Sequence, residues 1–166
     1  LLFGKNPNRY IPQAGIDAAA FPGIEKGYAS VERLSIRGPM VGLFREADTQ
    51  MIEPGIIEQA SHFVKRNTHV TATLKEGTIR TERPAYPEEV IREALVNAVV
   101  HRDYLLSATD IELSIYSDRL EIISPGRLPN GINPERMRVG CRAARNQFLK
   151  DVMRDYGYLE HMGMGI

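Results

Sequence analysis

Apolar positions along this chain recur at two periods, and the switches between them mark its elements. Ile56, Ile57, Ala60, Phe63 and Val64 fall at helical spacing. They predict a helix from Glu53-Pro54 to about Lys65, with Pro54 suited to the first turn. Val70 to Leu74 and Thr78 to Thr81 flank Lys75-Glu76-Gly77, a hairpin signal built on valine and threonine. Tyr86-Pro87-Glu88-Glu89 opens a second helix ending near Arg102, with proline at its first position and carboxylates in its first turn. Ile111, Leu113 and Ile115 then alternate with polar residues, Ser117-Asp118 turns the chain, and Leu120 to Ile123 returns.

The remaining segments give weaker signals. Leu1 to Phe3 and Ile16 to Phe21 read as short strands separated by the polar turn Gly4 to Asn8. Residues 22–50 hold glycines at 23, 27, 38 and 42 and no sustained period. Ser124 to Gly140 reads as loop, and a last helix runs from about Arg145 to Tyr156 and stops at Gly157, a C-cap candidate. Helix, hairpin, helix, hairpin, loop and helix in that order predict an α+β fold. Its form is a two-layer sandwich, with helices on one face of a mixed, mostly antiparallel sheet.

Bulk properties narrow the partners. The chain has 166 residues, 43% hydrophobic and 25% charged, as expected of a globular core. Lys and Arg number 21 against 21 Asp and Glu, so no net field draws nucleic acid to this segment. Cys141 is the single cysteine, which excludes an intrachain disulfide and a multi-cysteine zinc site. A buried, inert thiol in a reducing cytoplasm is the expected setting. No apolar run approaches the roughly 18 residues of a membrane span. Leu1-Leu2-Phe3 carries no signal peptide, and the two ends read as boundaries within a longer protein, truncated at the C-terminal side.

The chemistry concentrates on the second helix. On a wheel at about 100° per residue, Ile91, Ala94, Leu95, Ala98 and Val99 form the stripe that packs on the sheet. Glu93, Asn97 and His101 recur at i, i+4 on the other side. A carboxylate can take a proton from a water attacking a phosphoryl group, and an amide oxygen can serve Mg²⁺ one turn on. A plain solvated helix face accounts for the same pattern, so the spacing leaves both readings open.

Glu93-Ala94-Leu95-Val96-Asn97-Ala98 resembles the N-box of the superfamily of gyrases, heat-shock chaperones, histidine kinases and mismatch-repair proteins, the GHKL ATPases. The longer string from Arg92 to Tyr104 is more particular, with Ser124-Pro125-Gly126 and Gly163-Met164-Gly165-Ile166 beside it. Together they resemble bacterial RecG-like helicases or transcriptional regulators with a divergent ATPase domain of that superfamily. Leu1 to Pro7 and Tyr10 to Ala14 are similar to the segment that precedes it. The resemblance implies an N-terminal segment over 1–67 and a nucleotide-binding domain over 68–166. It implies Glu93 as general base and Asn97 as Mg²⁺ ligand. It implies that Ser124, Gly126 and Gly131 sit in the base-binding loop, and that Gly163 and Gly165 form the phosphate-binding glycine pair. ATP and Mg²⁺ are the implied cofactors, with DNA met through domains outside this segment and a homo-oligomer open.

Two departures stand out. The superfamily's Asp-x-Gly-x-Gly motif reads Ser124-Pro125-Gly126-Arg127-Leu128 here, so a hydroxyl replaces the carboxylate that receives the adenine amino group, and Leu128 replaces the second glycine. A neutral acceptor binds more weakly, and Ser124→Asp is therefore expected to raise ATP affinity. Arg127 and Gln147 stand where glycine and proline are expected, and Arg142 and Arg145 are either phosphate-reaching or simply solvated. Two functions follow: an ATP-binding module, with slow hydrolysis left open, in a DNA-associated regulator, or a degenerate module for dimerisation or partner binding. Helicase action is not expected, because the chain has no Gly-x-x-x-x-Gly-Lys-Ser/Thr loop.

Overall fold

The computed structural model describes residues 2–4, 6–44, 51–68, 70–75, 79–128, 135 and 144–159. A four-stranded sheet carries the fold, in the order β2-β1-β7-β8. β1 (Ile16–Ala20) lies between β2 (Glu32–Ile36), antiparallel, and β7 (Ile111–Ile115), parallel; β8 (Leu120–Ile123) closes the β7 hairpin. Two small antiparallel pairs stand apart from it: β3 (Leu43–Phe44) with β4 (Met51–Glu53), and β5 (Val70–Lys75) with β6 (Ile79–Pro84). The expected α+β sandwich with a mixed, mostly antiparallel sheet is the observed architecture.

Strand parity decides which face is dry. Ile16, Ala18, Ala20, Ile111, Leu113 and Ile115 are buried on the side that α1 (Ile56–Asn67) and α2 (Glu88–His101) cover. The opposite face carries polar pairs, among them Lys26 with Glu112 at 2.7 Å and Ser35 with Asp17 at 2.6 Å. Arg37 spans Asp17 and Asp110 at 3.1 and 3.0 Å.

α1 buries the five residues its period nominates: Ile56, Ile57, Ala60, Phe63 and Val64. Its start differs from expectation. Pro54 lies outside the helix and Gly55 is the N-cap, whose amide donates to Glu58 Oε2 at 2.8 Å. Glycine is required there by space, since a Cβ would stand 2.5 Å from the Val41 carbonyl carbon. Pro87 is likewise the cap of α2 rather than its first helical residue.

The second layer ends in α3 (Gln147–Asp155), two residues later than its pattern suggests. Gly157 at φ +73° lets Tyr158 N reach Met153 O at 2.8 Å and Gly157 N reach Arg154 O at 2.9 Å, so the last carbonyls are satisfied. That turn drives Tyr158 back into the core, where its hydroxyl accepts from Gly42 N and donates to Glu58 Oε1.

One expectation at the N-terminus fails, and one unassigned stretch proves structured. Leu2 and Phe3 form no strand: Leu2 joins the core and Phe3 packs on Tyr156 at 5.3 Å. Residues 22–50, unassigned from the pattern, supply β2 and β3.

Candidate functional site

α2 is sandwiched by α1, α3 and β8, which explains how it buries more than one stripe. Ile91, Leu95, Ala98 and Val99 are buried as the wheel requires, but so are Val96 and Val100, whereas Ala94 is half-buried. Glu93 and Asn97 therefore sit half-buried at the edge of a packed helix rather than out in solvent, and His101 is exposed at its end. Among the described residues, neither the Glu93 carboxylate nor the Asn97 amide has a hydrogen-bond partner of its own. Partial desolvation and the charges of Lys150 and Arg145 hold His101 below the usual histidine range.

The loop after β8 is stitched to the same helix. Ser124 Oγ donates to Ala98 O at 2.7 Å, and Asp103 N donates to Pro125 O at 2.8 Å. Ser124 thus lies against the residue next to Asn97. Its only proton is spent on the helix, so lone pairs are all it has left to offer a ligand. Gly126 follows at φ +138°, and a Cβ there would meet Asp103 Cβ at 3.0 Å and Asp103 N at 3.3 Å. The glycine is needed for close packing on Asp103, whatever else it touches.

Below this loop, the string His101 to Tyr104 ends α2 and turns the chain. Arg102 is fully buried and donates to the carbonyls of Asp103 at 2.5 Å, Leu106 at 3.1 Å and Thr109. Burial holds its guanidinium below the usual arginine range. Tyr104, packed against Arg102, donates its hydroxyl to Val99 O at 3.0 Å, and burial pushes that phenol far above its usual range. Asp103 Oδ2 receives Arg145 Nη1 at 3.1 Å, and Arg145 also donates to Arg127 O. Asn146 Nδ2 donates to Val100 O and Arg102 O, both at 2.8 Å, capping the end of α2 from outside.

The structure thus brings Asn97, Ser124 and Gly126 to one end of α2, with Glu93 one turn before Asn97. Gly131, Gly163, Gly165, Cys141 and Arg142 lie outside the described residues. Arg145, weighed from the sequence as phosphate-reaching or solvated, is held by Asp103. Sequence reasoning missed Arg102 and Asn146, whose partners are backbone carbonyls that no side-chain pattern reveals. A cavity of about 340 Å³ opens elsewhere, bordered by Glu58, His62, Glu88, Arg92 and Tyr158; neither Glu93, Asn97 nor Ser124 lines it.

Comparison with known proteins gives a class for the second half of this site. Residues 108–166 match the family described as "Putative ATP-dependent DNA helicase recG C-terminal", an ATPase-like domain family. The match takes in β7, β8, the Ser124 loop and α3 and begins after α2, so Glu93 and Asn97 lie outside it. Among solved structures, this chain is similar to the DIP2311 protein from Corynebacterium diphtheriae, at 26% identity and a TM-score of 0.63. The alignment covers 87% of this chain and 27% of that one, so the chain spans about a quarter of its length. No curated protein matches. Among the described residues, no helix is long and apolar enough to cross a membrane.

Proposed function

We propose that the end of α2 and the loop after β8 form a nucleotide site that takes ATP with Mg²⁺, within a DNA-associated bacterial regulator. The observation that carries this is the Ser124 to Ala98 hydrogen bond, which joins the loop matched by an ATPase-like family to the helix bearing Glu93 and Asn97. The donor set fits the ligand. Ser124, with its proton committed, faces an amino group favourably and a carbonyl unfavourably, which selects adenine over guanine.

Asn97 offers Mg²⁺ one neutral oxygen, and Glu93 is placed one turn away for a water near the terminal phosphate. Among the described residues, no three His, Cys, Asp or Glu side chains converge on a common point. A magnesium ion here would therefore arrive on the nucleotide phosphates, supplying charge neutralisation there.

The test is calorimetric titration with ATP and GTP, with and without Mg²⁺, on wild type and Asn97→Ala. Binding of ATP over GTP, with Mg²⁺ dependence lost in Asn97→Ala at a melting temperature within a few degrees of wild type, is the expected result. No heat with either nucleotide would overturn it. The absence of a carboxylate at Ser124 favours the second reading, a module for dimerisation or partner contact without turnover. That reading predicts the same null titration together with concentration-dependent self-association.

A further inference from the structure

Residues 124–127 and 144–146 approach the same place from opposite directions, the C-terminal end of α2. On the way out, Ser124 bonds Ala98 O and Pro125 O accepts from Asp103 N. On the way back, Asn146 caps Val100 O and Arg102 O, while Arg145 grips Asp103 and the carbonyl of Arg127. Among the described residues, these two segments meet in one neck, joined by the Arg145 guanidinium. Arg145 and Asp103 side chains are only 27% and 23% exposed, so this ion pair is shielded from salt better than a surface pair. Gly126, where a Cβ would stand 3.0 Å from Asp103 Cβ, lets the outgoing segment lie tight against Asp103.

We infer that Asp103 and Arg145 are positioning residues for nucleotide binding: their ion pair closes the neck and so holds Ser124 in register with Asn97. This rests on the nucleotide reading above, and neither residue needs to touch the ligand. The spacing explains why. Ala98, to which Ser124 is bonded, adjoins Asn97, so any slip of the loop along α2 separates the base acceptor from the metal ligand. Sites of this kind lose affinity steeply when supporting contacts are loosened, even with every contacting group intact. Arg145 bridges two acceptors at once, which a planar guanidinium can do and an ammonium cannot do with the same geometry.

The experiment pairs a ligand-free readout with a binding readout. In a Cys141→Ser background, spin labels are placed at the exposed positions Leu128 and Phe148, and their distance distribution is measured in wild type, Asp103→Asn and Arg145→Gln. Mg-ATP affinity is titrated on the same proteins without labels, together with the double variant and Arg145→Lys. A narrow distance in wild type should broaden in both single variants, and affinity should fall about tenfold in each. The double variant should be no worse than Arg145→Gln, since both single variants break the same ion pair. Arg145→Lys should recover part of the affinity, and it keeps the test alive if Arg145→Gln does not fold. Broadened distances with wild-type affinity, or unbroadened distances in both variants, would overturn the inference while leaving the nucleotide site standing. Wild type without ATP binding removes the nucleotide reading and the positioning role with it, whatever the labels report.

Discussion

Ser124→Asp gives opposite answers when argued from sequence and from structure. Viewed as a motif position, the substitution restores a carboxylate and gains roughly fivefold in ATP affinity, about 1 kcal/mol. The fold reverses the sign. Ser124 Oγ donates to Ala98 O at 2.7 Å, and an ionised carboxylate has no proton to give, so two acceptors would face each other at that distance. Losing the hydrogen bond costs about 1 kcal/mol, and leaving two half-buried oxygens in opposition adds roughly 1–2 kcal/mol. For a chain of this size that lowers the melting temperature by about 4–12 °C. Ser124→Ala loses only the first part. The aspartate can recover the bond by holding a proton, so its pKa rises on folding. A group with a raised folded pKa contributes stability below its unfolded pKa and loses it as pH rises through the folded value. Urea melts across pH should therefore show Ser124→Asp approaching wild type as pH falls towards about 4 and diverging above it. ATP titration at neutral pH should show no gain. A variant as stable as wild type at neutral pH that binds ATP fivefold tighter would refute the placement of Ser124 against α2.

Three further outcomes follow from the same geometry. If Glu93 is the general base, Glu93→Gln should slow hydrolysis about 10²- to 10⁴-fold and leave Mg-ATP affinity within twofold or so; unchanged turnover removes the assignment. His101 is depressed on folding, so the unfolded chain binds more protons and stability falls as pH drops below about 6.5. Denaturant melts from about pH 5 to 8 should show this slope in wild type and a flatter one in His101→Gln. Arg102→Met should cost about 2–4 kcal/mol, because three carbonyls lose their donor together, and a loss under about 1 kcal/mol in a urea melt would mean that water replaces the guanidinium freely.

How much of this was legible in the sequence depended on where each partner lay. α1 was readable down to its five buried residues because the sheet and α2 meet it along one side, and one covered side gives one clean period. α2 was read too narrowly: its neighbours on three sides bury Val96 and Val100, and a wheel assumes a single side. β2 was hidden because it is an edge strand with Leu34 and Ile36 as its only apolar residues, so alternation had little to act on. Leu1 to Phe3 misled for the converse reason: apolar residues read as a strand, whereas Leu2 is spent on the core and Phe3 on Tyr156. Around the candidate site, Asn97 and Ser124 were found by resemblance, whereas Asp103 and Arg145 stand 42 positions apart and join by a contact that only the folded topology creates.

The parallel ladder between β1 and β7 has a consequence for how the chain is made. Ile16 finds its partner Ile111 roughly 95 residues later. At about 5–20 residues per second on the ribosome, β1 waits about 5–20 s for that edge to emerge. In that interval its open side can be protected only by what has already been synthesised, and β2 shields just one of its two edges. The alanines at 18, 19 and 20 and the charged Asp17 give the waiting strand little grip for a stray partner. Slowing translation between β2 and β7 should therefore leave yield largely intact, whereas exchanging those alanines for valine should make nascent chains aggregate before the sheet can close.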